Sequence, residues 1–267
     1  MSRIRLVISD CDGTLVTPDK QLTPATRAAV ARLHAAGVGF TVTSSRPSFG
    51  MRMLIAPLGI TLPIGGFNGS SIVLPDMTPL AQHAIPRDAA QQSIDLLARA
   101  GVDIWVFTAD AWVISNRKGV YVAHEEDTIQ SAPTVVSDFA PYLDRACKIV
   151  GASKDPDKLA RCEADMQQAL GQTAHAARSQ SYYLDVTPPG QDKGNFVDAM
   201  AARLSVAKHE IATLGDMRND VPMFKRSGVS FAMGNAPDAV KAEASHVTAS
   251  NTDDGFAKAI DLILEMT

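Results

Sequence analysis

A chain of 267 residues, 46% hydrophobic and 20% charged, can bury a core in one large domain or in a mid-sized domain plus a smaller one, which excludes a disordered chain. Its net charge of -4 supplies no basic field, so nucleic acid and anionic membrane surfaces are not expected partners, and an anionic substrate would need local positive charge or a metal. The opening residues carry acids early and no long apolar run, and Cys11, Cys147 and Cys162 lie outside any CxxC pattern; a cytoplasmic protein with reduced thiols and no zinc site is expected.

The apolar run at 4–8 predicts a strand buried on both faces, of the parallel-sheet kind. Thr23 as N-cap, Pro24 in the first turn and Gly37 as a left-handed stop predict a helix between them. Residues 38–43 predict the next strand, ended by Ser44-Ser45-Arg46-Pro47, where the proline disfavours running straight into a helix. This is one βαβ unit with a right-handed crossover. Pro79 and Pro86 then bracket a polar connection, followed by predicted helices over 88–100 and 155–170 and strands over 102–108, 112–115 and 182–186. The βα rhythm resumes with a helix over 195–204, a strand over 211–214, a helix over 221–227, a strand over 229–233 and an amphipathic helix over 253–265. The reading is an α/β protein: a Rossmann-like, doubly wound parallel-sheet core from 1–85 and 188–267, with an α+β cap domain inserted over 86–187 between proline-containing hinges.

Open parallel sheets place their sites beyond the carboxyl ends of strands, and Asp10, Ser44 and Asp216 each fall just past such an end. Taken singly, each has a plainer reading: Asp10 and Asp12 as turn or helix caps, Ser44 as a turn residue, Lys193 as a surface lysine, GDMRND at 215–220 as a polar turn. Taken together they describe a site. Gathered carboxylates from Asp10, Asp216 and Asp220 repel and call for a cation, and oxygen donors without a His/Cys cluster favour magnesium over zinc. A hydroxyl from Ser44 and an ammonium from Lys193 suit a phosphoryl group.

The motifs DCDGT at 10–14, Ser44 ending a strand, Lys193, and GDMRND at 215–220 resemble the four motifs of the haloacid dehalogenase superfamily, more closely its Cof-type, subfamily IIB sugar phosphatases with a type C2 cap. TSSRP at 43–47, FNGSSI at 67–72, AMGNA at 232–236 and SNTDDGFAKAI at 250–260 resemble further segments of that group. The cap agrees only in position and coarse secondary structure. The resemblance implies a magnesium-dependent phosphomonoester hydrolase acting on sugar phosphates or similar small phosphorylated metabolites through an aspartyl-phosphate. It implies Asp10 as nucleophile and Asp12 as general acid/base. Magnesium would be held by Asp10, the Asp12 backbone carbonyl and Asp216; Ser44 and Lys193, assisted by Asn219, would bind the phosphoryl group, with Asp220 orienting the metal site or Lys193.

Two departures stand out: Ser45 where the family usually has glycine, and Ser44 where threonine is commoner. Arg46 reads equally as an anchor of that turn or as a substrate contact. Trp105, Trp112, Tyr121, Tyr182 and Tyr183 suit a sugar or nucleoside, but their spacing suits cap core better. A phosphotransferase or mutase would use the same aspartyl-phosphate. A phosphorylation-dependent signalling domain would not need Asp12, nor an insertion of this size. A silent sugar-phosphate binder fits an intact motif set poorly. Oligomeric state is left open by the sequence.

Overall fold

The computed structural model describes residues 3–266 and divides the chain into two compact units, one running up to Ser45, over Met51–Leu80 and from Asp192 onward, the other comprising Arg46–Gly50 and Ala81–Gln191. The outermost residues of the sequence-based core assignment, Met1, Ser2 and Thr267, lie outside the described residues.

In the first unit the elements are β1 (Leu6–Ser9), α1 (Pro24–Ala35), β2 (Gly39–Val42), α2 (Arg52–Leu58), β3 (Ile64–Gly66) and β4 (Ser71–Val73), with β5 (Pro79–Gln82) running out of it. α1 starts where its signals predict: the Thr23 side chain accepts from the Thr26 amide, Pro24 follows, and Gly37 takes φ +73°. Pro47 delays the next helix, so a short 3-10 turn over Ser48–Met51 precedes α2.

The second unit contains α3 (Arg87–Arg99), β6 (Asp103–Phe107), β7 (Trp112–Ile114), α4 (Val122–Ile129), β8 (Thr134–Val135), β9 (Lys148–Ala152), α5 (Pro156–Leu170), β10 (His175–Gln180) and β11 (Tyr183–Thr187). Its sheet runs β10-β11-β9-β6-β7-β8. The apolar residues Ile104, Val106, Val113, Ile149, Leu184 and Val186 share a core with Ala90, Leu97, Leu159 and Met166 of α3 and α5. Alternate positions, Trp105, Phe107, Trp112 and Tyr183, point the other way and pack on one another. Trp105 and Trp112 are buried, and Tyr121 and Tyr182 stack half-buried at 4.5 Å between ring centroids. Most of these aromatics are therefore cap core.

The chain returns to the first unit with α6 (Lys193–Leu204), β12 (Ile211–Gly215), α7 (Val221–Lys225), β13 (Val229–Ala232), α8 (Asp238–Lys241), β14 (His246–Val247) and α9 (Gly255–Glu265). The core sheet has the order β14-β13-β12-β1-β2, all neighbours parallel. β1 is buried along its length because both faces are covered: Val7 joins the cluster of Val30, Leu33, Phe256 and Ile260 from α1 and α9, while Leu6 and Ile8 join Phe196, Val197 and Met223 from α6 and α7. Each such side chain contributes about 1.5–3 kcal/mol relative to exposure. The sheet is doubly wound, as expected.

From β1 the chain moves outward to β2, whereas from β12 it moves the opposite way to β13 and β14. The carboxyl ends of β1 and β12 thus flank a topological switch point, where such sheets open a crevice. Asp10 and Asp216 are the next residues.

Candidate active site

Asp10 follows β1, and its main-chain amide still donates to the Leu214 carbonyl, so the ladder fixes its position. Asp216 follows β12. Between them Gly13 takes φ +77°, and any side chain there would strike the Asp216 carboxylate; Gly215 is held side-chain-free by Asp220 in the same way. Thr14 donates to Asp216 Oδ1 at 3.0 Å and Asn235 to Oδ2 at 3.4 Å. Neither Thr14 nor Asn235 stood among the sequence-derived site residues, although both sit in motifs that carried the resemblance.

α6 begins two residues earlier than its sequence suggests. Asp192 caps it, accepting from the Asn195 amide at 3.0 Å and from Arg226 at 2.6 Å, which sets Lys193 at the first helical position. From there the Lys193 side chain, 1% exposed, reaches Asp10 Oδ1 at 2.5 Å and Asp220 Oδ1 at 2.6 Å. The other oxygen of Asp220 accepts from the amides of Asp216 and Met217, both at 2.8 Å. With both oxygens engaged, Asp220 orients Lys193 and the 215–220 turn.

Carboxylate oxygens of Asp10, Asp216 and Asp220 lie within 4.8 Å of one another, all buried, with Lys193 as the cation in contact with two of them. Burial pushes Asp10 well above the usual carboxylate range; Lys193 pulls the other way, and Asp220 and Asp216 add to the rise. Burial, then the charge of Asp220, raises Asp216 to about 6. Burial alone would lower the Lys193 ammonium, but Asp10 and Asp220 outweigh it and hold it charged. Three carboxyls around one ammonium leave negative charge in excess, so this donor set fits a divalent cation on oxygen ligands.

A pH dependence follows. Asp216 holds its proton in the folded state up to about pH 6, whereas an unfolded aspartate loses it near pH 4. The folded state therefore binds more protons between these values, and metal-free stability should fall as pH rises through that window. A divalent cation bound by Asp216 would have to displace that proton, so any stabilisation by added magnesium should grow as pH rises from about 5 to 7. Thermal unfolding with magnesium or chelator at each pH measures this, and a magnesium effect independent of pH would rule it out.

Ser44 is buried just beyond β2, its amide donating to the Gly65 carbonyl at 2.9 Å. Asn219 lies in the 215–220 turn and donates from Nδ2 to Asn68 Oδ1 at 3.0 Å. The Asp12 carboxylate pairs with Lys20 at 2.6 Å, each side chain about one-third exposed. Lys20 had no assigned role in the sequence. Cys11 is fully buried in the apolar cluster with Val7, Leu15 and Val16. Arg46 is buried and donates to the carbonyls of Gly50 and Thr128, the latter in the last turn of α4, so it serves as an anchor within the second unit.

The profile of the family described as haloacid dehalogenase-like hydrolase matches residues 7–260. The chain belongs to this family. Among relatives of this haloacid dehalogenase-like hydrolase, an HMP-PP phosphatase of Cronobacter sakazakii is 28% identical over 245 residues, covering 91% of this chain and 89% of the relative. A 5-amino-6-(5-phospho-D-ribitylamino)uracil phosphatase of Bacillus subtilis is 26% identical and covers 98% of both chains. The crystal structure of a haloacid dehalogenase-like hydrolase from Bacteroides thetaiotaomicron superposes with a TM-score of 0.91 at 26% identity, covering 98% of this chain and 100% of that one. The chain is thus a hydrolase by family, and these two relatives bear the names of phosphatases. Among its described residues no helix is long and apolar enough to cross a membrane.

Proposed function

We propose that this hydrolase is a magnesium-dependent phosphomonoesterase for sugar phosphates or similar small phosphorylated metabolites, working through an aspartyl-phosphate on Asp10. The observation that carries the reading is the junction of Asp10, Lys193 and Asp220 beside Asp216 at the switch point of the sheet. The relatives' names support the substrate class.

Asp10, Asp216 and the Asp12 backbone carbonyl would hold magnesium, which when bound neutralises the crowded acids and polarises phosphoryl oxygens. Lys193 fixes the Asp10 carboxylate. Ser44 and Asn219 donate to phosphoryl oxygens, and the Lys193 ammonium adds positive charge at the same centre. A carboxylate oxygen of Asp10 attacks phosphorus, the bond to the alcohol oxygen breaks, and protonated Asp12 gives its proton to that oxygen. Asp12, now a carboxylate, takes a proton from water, whose oxygen attacks phosphorus; inorganic phosphate leaves and Asp10 is regenerated. Paired with Lys20, Asp12 would be a carboxylate, the form that a base for water needs.

The test is phosphate release from p-nitrophenyl phosphate with magnesium and after exhaustive chelation, followed by a panel of sugar phosphates and nucleotides. Full turnover in chelator would refute the metal assignment, and transfer to an added sugar in place of water would make the enzyme a phosphotransferase. Cys11 takes no part in the reaction. Cys11→Ser should keep kcat/KM within about threefold while lowering thermal stability, since a hydroxyl enters an apolar cluster at a cost of about 1–3 kcal/mol. A much larger loss of activity in a still-folded variant would contradict the proposed role of Asp10.

A further inference from the structure

The turn between β3 and β4 holds three successive residues in the left-handed region: Phe67 at φ +49°, Asn68 at +58° and Gly69 at +89°. For residues other than glycine this conformation costs about 1–2 kcal/mol, less for asparagine than for phenylalanine. Such strain persists only where the surroundings impose it. Here they do. The Asn68 amide donates to the Ser44 carbonyl at 2.8 Å, and the Asn68 side-chain oxygen accepts from Asn219 Nδ2 at 3.0 Å. A side chain at Gly69 would press on the Asp192 carbonyl and on Phe196, so the turn also seats against the start of α6, next to Lys193. One strained turn thus touches the three segments that carry Ser44, Asn219 and Lys193.

We propose that Asn68 is a positioning residue for the phosphoryl-binding groups, acting through Asn219: its side-chain oxygen accepts a hydrogen bond from Asn219 Nδ2 and so aims that carboxamide, while its main chain holds the Ser44 segment. The inference rests on the phosphatase reading of the site. It gives the turn a reason to carry asparagine in place of glycine. Glycine would relieve the backbone strain at that position but would leave Asn219 free to rotate.

That contrast supplies the test. Asn68→Gly keeps the left-handed backbone at no steric cost and removes only the carboxamide, so the variant should unfold at or above the parent temperature. Its kcat/KM on p-nitrophenyl phosphate should fall about tenfold, the effect of one lost positioning hydrogen bond. The loss should appear in KM and in the inhibition constant of inorganic phosphate more than in kcat. Asn219→Ala should lose a similar factor, and the double variant no more than the worse single one, because the two residues act as a unit. Unchanged kcat/KM in Asn68→Gly, additive losses, or a loss that only follows a drop in unfolding temperature would overturn the proposal. A second arm does not depend on turnover. In asparagine-labelled protein the side-chain NH2 signal of Asn219, assigned by its disappearance in Asn219→Ala, should shift and exchange faster with solvent in Asn68→Gly. An unmoved signal would overturn the coupling, whereas an inactive parent with a shifted signal would reject the phosphatase reading and leave the positioning intact.

Discussion

On the proposed mechanism Asp10→Asn should abolish turnover of every phosphomonoester, a loss on the order of 10⁴ or more, because an amide is a poor nucleophile and the variant lacks a charged ligand of the proposed metal. The same variant should be no less stable than the parent without metal. Asp10 is buried beside Asp216 and Asp220, and burial with those two acids pushes its carboxyl well up, so its charge is unfavourable in the folded state. An asparagine removes that repulsion and leaves Lys193 its partner Asp220. Function and stability therefore move in opposite directions, as expected where a site is built against the preference of the fold. Phosphate release and thermal unfolding in chelator measure the two together. Turnover above about one per cent of the parent would exclude Asp10 as nucleophile.

The parts of this molecule legible in its sequence are those dictated by local chemistry. β1 reads as a strand because Leu6, Val7 and Ile8 are each buried, on alternating faces. α1 reads from its cap and its proline. Asp10 and Asp216 read as site residues because each directly follows such a strand. The start of α6 did not read, since Lys193-Gly194-Asn195 holds two weak helix formers and its cap, Asp192, works partly through the distant Arg226. In the second unit β9 was hidden by Gly151 and by Lys148, which pairs with Asp185 at 2.8 Å across the sheet, so its five residues carry no clean apolar alternation. β10 is largely polar because it is an edge strand. The association of Arg46–Gly50 with the second unit includes a hydrogen bond from Arg46 to Thr128, 82 residues away, which no local pattern announces. The same holds for Asn68 and Lys20, whose importance lies in which side chain they meet.

Asp12→Asn should separate the two halves of the reaction. The substitution leaves the backbone carbonyl in place and replaces a partly exposed ion pair with Lys20, so stability should change by no more than about 1 kcal/mol. What disappears is proton exchange. An alkyl phosphate needs its leaving oxygen protonated, and the variant should fail on it by about 10² to 10⁴ in rate. p-Nitrophenolate leaves without help, so Asp10 should still be phosphorylated by that ester, giving a burst of phenolate equal to the enzyme present. The second half needs a base for water, and asparagine is none. The phospho-enzyme should accumulate and be visible by intact-protein mass spectrometry, with steady-state turnover slow after the burst. Lys20→Met provides the control, since it removes the partner of Asp12 but leaves its carboxyl able to exchange protons, and it should show neither burst nor accumulation. If Asp12→Asn hydrolysed alkyl phosphates at the parent rate, or gave no phospho-enzyme with the activated ester, the division of labour between the two acids after β1 would be wrong.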